Sequence, residues 1–108
     1  YRILMKTYIL IDDDELIRMT WEYKAQASSV KLKTYSNVDD FLNEEVGVDR
    51  SSPIYLDSEL GTVLGEDFVV ELKKLGFEHV HLATGKEVSK ITKNTQLFDS
   101  IGGKTPPF

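Results

Sequence analysis

The sequence predicts an α/β fold built on a five-stranded parallel sheet. Short, continuously apolar runs such as "TYILI" and "IYL" alternate with stretches whose apolar residues recur at helical spacing, the pattern of strands buried on both faces with helical crossovers between them. Three of these runs end in aspartate or threonine. Polar residues at the carboxyl ends of strands are expected where an open parallel sheet carries its chemistry.

The 108 residues are enough for one core, so residues 1–108 are expected to form a single domain. At 41% hydrophobic and 29% charged, the composition argues against disorder and against a membrane protein. The apolar start "YRILMKTYILI" is broken by Arg2 and Lys6. It is too short to span a bilayer and lacks a small-residue cleavage signature. Without cysteine there are no disulfides and no thiolate metal ligands, which fits a cytoplasmic location. A net charge of −5 with scattered lysines offers no footprint for nucleic acid.

Thr7 to Ile11 reads as the first strand. A helix follows from Glu15 to about Gln26, with Leu16, Met19 and Tyr23, joined by Ile17 and Trp21, at helical spacing. "VKLKTY" (Val30 to Tyr35) alternates like a strand near an edge. "SNVDDFLNEEV" opens on a capping residue, Ser36 or Asn37, and sets Val38, Phe41 and Leu42 on one face. After the loop "GVDRSSP", Ile54 to Asp57 is a third strand. Gly65 to Leu75 is a helix with the stripe Phe68, Val69, Leu72 and Leu75, stopped by Gly76. His79 to Thr84 is a fourth strand, Lys86 to about Lys93 a weak helix, and Asp99 to Gly102 a fifth strand. Trp21, Phe68 and Leu72 read as core, His79 and His81 as structural, and Asp14 as a helix cap.

Adjacent strands would bring Asp12 and Asp13, Asp57, and Thr84 to one edge, with Lys104 following the fifth strand. Carboxylates gathered there repel unless a cation or proton intervenes. Hard oxygen donors at this density suit Mg²⁺, and a lysine with a threonine hydroxyl suits a phosphoryl group. Phosphoryl transfer requires positioning and charge neutralisation more than covalent machinery. A carboxylate can itself be the nucleophile, giving an aspartyl-phosphate.

The residues "ILIDDDELIR", "IYLDSELGTVLGEDF", "HLATG" and "GGKTPP" resemble the receiver domains of two-component response regulators, the CheY-like family. Asp57 stands 44 positions after Asp13, Thr84 27 after Asp57, and Lys104 20 after Thr84; Gly65, 8 after Asp57, stands where the family opens its third helix. The resemblance runs from about Thr7 to Pro106. It implies a doubly wound, flavodoxin-like sheet of strand order 2-1-3-4-5. Asp57 resembles the phosphoacceptor, and Asp12 and Asp13 the acidic pair that holds Mg²⁺. Glu59 would offer the metal its backbone carbonyl, Thr84 would hydrogen-bond the phosphoryl group, and Lys104 would neutralise one of its oxygens. The implied donor is a phosphohistidine on a sensor histidine kinase or phosphotransfer protein, with a hybrid histidine kinase or a stand-alone regulator as parent. Such a domain catalyses only its own phosphorylation and dephosphorylation, and the phosphoryl group shifts a two-state equilibrium.

The sequence departs from the family in three places. Thr105 separates Lys104 from the proline that usually follows at once, and a cis bond before threonine would be costly. Ile101 stands where the family often has Tyr or Phe. The sequence stops at Phe108, leaving no fifth helix, so one sheet face is expected to be covered by the first helix alone. The rest of that face would need a partner, a homodimer or domain swap, or the segment "YRILMK". Glu59 and Lys86 are expected to face each other at the mouth of the site. Two other readings stay open: a docking module that is never phosphorylated, and a small phosphohydrolase using Asp12 and Asp14 as an Asp-x-Asp pair.

Overall fold

The computed structural model describes residues 6–108. In chain order the elements are β1 (Thr7–Ile11), α1 (Glu15–Ala27), β2 (Lys31–Tyr35), α2 (Val38–Glu44), β3 (Ile54–Leu56), β4 (Glu59–Leu60), β5 (Val63–Leu64), α3 (Gly65–Lys74), β6 (Val80–Ala83) and β7 (Ser100–Gly102). Five strands form one parallel sheet in the order β2-β1-β3-β6-β7. Counted by sheet strands alone this is the order 2-1-3-4-5, so the predicted fold class holds. The short β4–β5 hairpin stands apart from the sheet. Of "YRILMK", proposed above as a cover for the sheet, all but Lys6 lies outside the described residues.

Helices α1 and α2 begin where a side chain replaces missing backbone partners. Asp14 caps α1, its carboxylate accepting the N–H groups of Leu16 and Ile17 at 2.9 and 3.4 Å. At α2 the cap is Asn37, which accepts the Asp40 N–H at 2.8 Å. Glu66 and Asp67 in the first turn of α3, and Lys73 and Lys74 in its last, complement the helix dipole. Gly76, at φ 94°, supplies the left-handed residue that ends it.

Strand alternation divides the core between the two faces. Ile9, Ile11, Ile54, Leu56, Val80 and Leu82 point to the side covered by α2 and α3, where they meet Phe41, Phe68, Val69, Leu72 and Phe77. Leu10 and Ala83 point to the side of α1 and pack with Trp21; Tyr55 and Phe108 lie against them. Burying each of these large side chains contributes about 1.5–3 kcal/mol. His79 and His81 tie β6 to the neighbouring strand, with Nδ1 2.7 Å from Asp99 Oδ2 and Ser100 Oγ respectively.

Four expectations are corrected. Ile17, Trp21 and Ala25, spaced at i, i+4, i+8, form the inward face of α1. Leu16, Met19 and Tyr23 instead stand 69%, 55% and 76% exposed, because a helix lying flat on a sheet buries only one narrow stripe. Leu42, likewise, turns away from the Val38 and Phe41 face to solvent. The helix expected over Lys86 to Lys93 is absent: only 3-10 turns form, at Val88–Lys90 and Thr95–Leu97. No side chain caps that segment, and Asn94 takes a left-handed φ of 53° that interrupts it. Its Ile91 nevertheless reaches the core, together with Phe98. On the α1 side, Phe108 lies edge-on to Tyr8 and Trp21, with ring centroids 5.3 and 5.9 Å away, so helix α1 is not the only cover of that face.

Gly65 opens α3 against the end of β3. Its N–H donates to the Ser58 carbonyl at 2.8 Å. An added Cβ would overlap the Asp57 carbonyl oxygen and lie 3.2 Å from Leu82 Cδ1. Gly65→Ala is therefore expected to destabilise the fold by about 1–3 kcal/mol, the usual cost of overpacking. A lowered urea midpoint with an unchanged slope checks it.

Candidate functional site

The sheet register builds the site. Ile11 lies beside Leu56 and Leu56 beside Leu82, so the next residues of β1 and β3, Asp12 and Asp57, emerge at the same level. Backbone hydrogen bonds continue the ladder past the strands: Asp12 N–H to Tyr35 O at 3.0 Å, Asp57 N–H to Ile11 O at 3.0 Å, and Thr84 N–H to Gly102 O at 2.9 Å. Asp12, Asp57 and Thr84 are buried, while Asp13 is exposed.

Carboxylate oxygens of Asp12, Asp13 and Asp57 lie within 4.8 Å of one another. Lys104 reaches across to this cluster, its Nζ 2.9 Å from Asp12 Oδ2 and 3.2 Å from Asp57 Oδ2. It does so without a cis bond, since no cis peptide occurs among the described residues. The loop that carries it is held from α1, where the Trp21 indole N–H donates to the Lys104 carbonyl at 2.9 Å. Arg18 of the same helix donates to the Asp12 carbonyl at 2.9 Å.

Burial pushes the Asp57 carboxyl above its ordinary value, and the neighbouring Asp12 charge pushes the same way; Lys104 and the Ser58 N–H oppose them without cancelling them. Burial alone would lower Lys104, but the neighbouring Asp12 and Asp57 carboxylates outweigh it and hold the ammonium above the ordinary value. One oxygen of the pair is left short. Despite Lys104 at 2.9 Å, Asp12 Oδ2 is buried without an aligned hydrogen bond. A buried, under-satisfied carboxylate oxygen within reach of two further carboxylates fits a hard divalent cation such as Mg²⁺.

The other predicted site residues are placed as follows. Thr84 Oγ1 accepts the Lys86 N–H at 3.1 Å. Glu59 opens the β4–β5 hairpin, and its side chain is 72% exposed. It lies 3.5 Å from Lys86 Nζ, so the two charges do face each other. The shorter bond from Lys86, however, goes to the Ser58 hydroxyl at 3.0 Å. Ser58 and the buried Glu66, bonded at 2.7 Å, are absent from the sequence reading, since nothing in a lone Ser or Glu announces burial. The hairpin, by contrast, left a signal in "LGTV": Gly61, at φ 67°, opens a two-residue turn. Asp14 donates its N–H to Asp12 Oδ1 at 2.9 Å but commits its carboxylate to capping α1. That leaves the Asp-x-Asp hydrolase reading without its second acid. Ile101, in place of the family's aromatic residue, is half-buried against the main core.

No protein-family model matches the sequence, and no curated protein matches it. Solved structures do. The response regulator TrrA of Thermotoga maritima, in complex with Mg²⁺ and BeF, superposes with a TM-score of 0.81 at 20% identity, over 96% of this chain and 90% of that one. The BeF3-activated DrrB receiver domain gives 0.76 at 25% identity, over 97% and 87%. A CheY-like receiver domain from Methylobacillus flagellatus gives 0.77 at 17%, over 97% and 89%. The chain thus has the fold of response-regulator receiver domains, with an acidic cluster at the carboxyl edge of its sheet.

The raised Asp57 carboxyl has a consequence for stability. A carboxyl harder to ionise in the folded than in the unfolded chain costs nothing below its ordinary value of 3.8. Its cost then grows as the pH rises through the higher folded value. Asp57→Asn removes that cost. In a chelator, the variant is expected to melt above wild type near neutral pH, with the gap closing as the pH falls through the raised folded value toward 3.8. Thermal unfolding across pH checks the sign.

Proposed function

We propose that the chain is a phosphoacceptor of two-component signalling, taking a phosphoryl group onto Asp57. The observation that carries this is the single ammonium of Lys104 lying between two buried carboxylates, 2.9 Å from Asp12 and 3.2 Å from Asp57. An Asp57 oxygen attacks phosphorus in line, and the bond from phosphorus to the donor's imidazole nitrogen breaks, its electron pair leaving with the imidazole. Lys104 neutralises a phosphoryl oxygen. Thr84 Oγ1 already accepts the Lys86 N–H, so its own proton is free to be donated to the phosphoryl group. Asp12, Asp13 and Asp57, with the Glu59 backbone carbonyl, would hold Mg²⁺, which when bound supplies charge neutralisation at the transferring group. The donor class is a histidine kinase or phosphotransfer protein in the cytoplasm. A second copy of the chain, in a homodimer or domain swap, is a further partner in this reading, on the face carrying the half-buried Tyr8, Tyr55 and His81.

Incubation with acetyl phosphate and Mg²⁺ is expected to add the mass of one phosphoryl group to the intact protein, and none to Asp57→Asn. A wild type of unchanged mass would remove the reading.

The cation can be tested separately. Mg²⁺ binding to the native state adds stability, about 2.7 kcal/mol at a hundred times the dissociation constant. Asp13→Ala is expected to need more Mg²⁺ for the same gain in melting temperature. An unchanged titration would argue against the site.

A further inference from the structure

Ser58, fully buried, joins three charged groups around Asp57. Its N–H donates to Asp57 Oδ1 at 2.8 Å. Its hydroxyl donates to Glu66 Oε1 at 2.7 Å and accepts from Lys86 Nζ at 3.0 Å. Glu66, in the first turn of α3, is only 6% exposed. A carboxylate that deep is costly unless it is hydrogen-bonded and compensated by charge, and here the ammonium of Lys86 lies one hydroxyl away. The polarity of the line is set by its ends: a carboxylate only accepts and an ammonium only donates, so the one hydroxyl proton must point to Glu66. Glu59 is the weaker partner of Lys86, at 3.5 Å and largely exposed, where ion pairs contribute little.

We propose that Glu66, acting through the Ser58 hydroxyl, positions the Lys86 ammonium at the mouth of the site and so prolongs the life of the aspartyl-phosphate. The proposal rests on the phosphoacceptor reading above. Hydrolysis needs a water oxygen to bond phosphorus opposite the Asp57 oxygen. The bond from phosphorus to Asp57 then breaks, its electron pair returns to the carboxylate, and the water gives up a proton to solvent as inorganic phosphate leaves. Lys86 is tied at both ends, by its N–H to Thr84 Oγ1 and by its ammonium to Ser58, and so lies across the gap between the ends of β6 and β3. Held there, it obstructs that water. Glu66→Gln keeps an oxygen that accepts from Ser58 but removes the charge that compensates the Lys86 ammonium through that hydroxyl, so the ammonium is held less firmly at the mouth. Glu66 and Ser58 are thus positioning residues, and Lys86 is the group at the site.

The test loads wild type, Ser58→Ala, Ser58→Thr, Glu66→Gln, Lys86→Met and the Glu66→Gln/Lys86→Met double variant with acetyl phosphate and Mg²⁺. The donor is removed and loss of the phosphoryl group is followed by intact mass. Ser58→Ala, Glu66→Gln and Lys86→Met are each expected to shorten the lifetime by about three- to tenfold, the scale of a lost positioning contact. Ser58→Thr should keep the wild-type lifetime, and the double variant should decay no faster than Lys86→Met. A second readout needs no phosphorylation: the slowly exchanging ammonium signal of Lys86 in a nitrogen-15 spectrum, present in wild type and Ser58→Thr and lost in Glu66→Gln. Wild type that takes up no phosphoryl group overturns the phosphoacceptor reading and this proposal with it. Normal uptake with a wild-type lifetime in Glu66→Gln, multiplicative effects in the double variant, or an unchanged ammonium signal in Glu66→Gln overturns this proposal alone.

Discussion

Two buried carboxylates at one sheet edge are the constraint around which the rest is arranged. The parallel register of β1 and β3 puts Asp12 and Asp57 side by side, and like charges in a desolvated place oppose each other. Lys104 offsets part of that repulsion, and the price is a lysine that must be brought from the far edge of the sheet. The fold does this through α1. Trp21 is packed under the helix with Leu10 and Tyr55, and its indole N–H holds the Lys104 carbonyl. Core packing on one face therefore fixes a charge at the edge.

The two faces meet this demand differently. The α2–α3 side is closed by helices and by the loop carrying Ile91 and Phe98, which fills the core without regular structure. On the other side α1 offers a single stripe, and an aromatic row extends beyond it: Tyr8 near Tyr55, Tyr55 stacked on His81 at 4.4 Å, and Phe108 against Tyr8. Burial lowers the His81 pKa, helped by His79 and Lys73 and opposed by Asp99, as expected for a half-buried imidazole stacked on Tyr55 at the end of such a row.

The edge itself is left incompletely satisfied. Asp57 titrates high and Asp12 Oδ2 lacks an aligned donor. Sites of this kind hold unfavourable electrostatics that a ligand relieves, so binding there adds directly to the stability of the native state. Around this edge the polar groups are closely paired: Ser58 with Glu66 and Lys86, Thr84 with the Lys86 N–H, Arg18 with the Asp12 carbonyl. A rigid frame around an unsatisfied centre is what preorganisation requires.

The sequence by itself determined the sheet and the members of the acidic edge. Strands buried on both faces must be continuously apolar, so "YILI" and "IYL" stand out, and the aspartates that end them have no place in a core. Caps are equally local, which is why Asp14 was legible as one. Only the tertiary structure decided which side of α1 faces inward, because Leu16, Met19 and Tyr23 are as apolar as the residues that are buried and differ from them only in what the sheet offers opposite. Only it decided that the segment after Thr84 forms turns rather than a helix, since burial of Ile91 and Phe98 replaces the helical bonds. Ser58, Glu66 and Lys86 lie in three different segments. Their alignment depends on the β3–β6 register and on the close approach that Gly65 permits, and no local pattern encodes either.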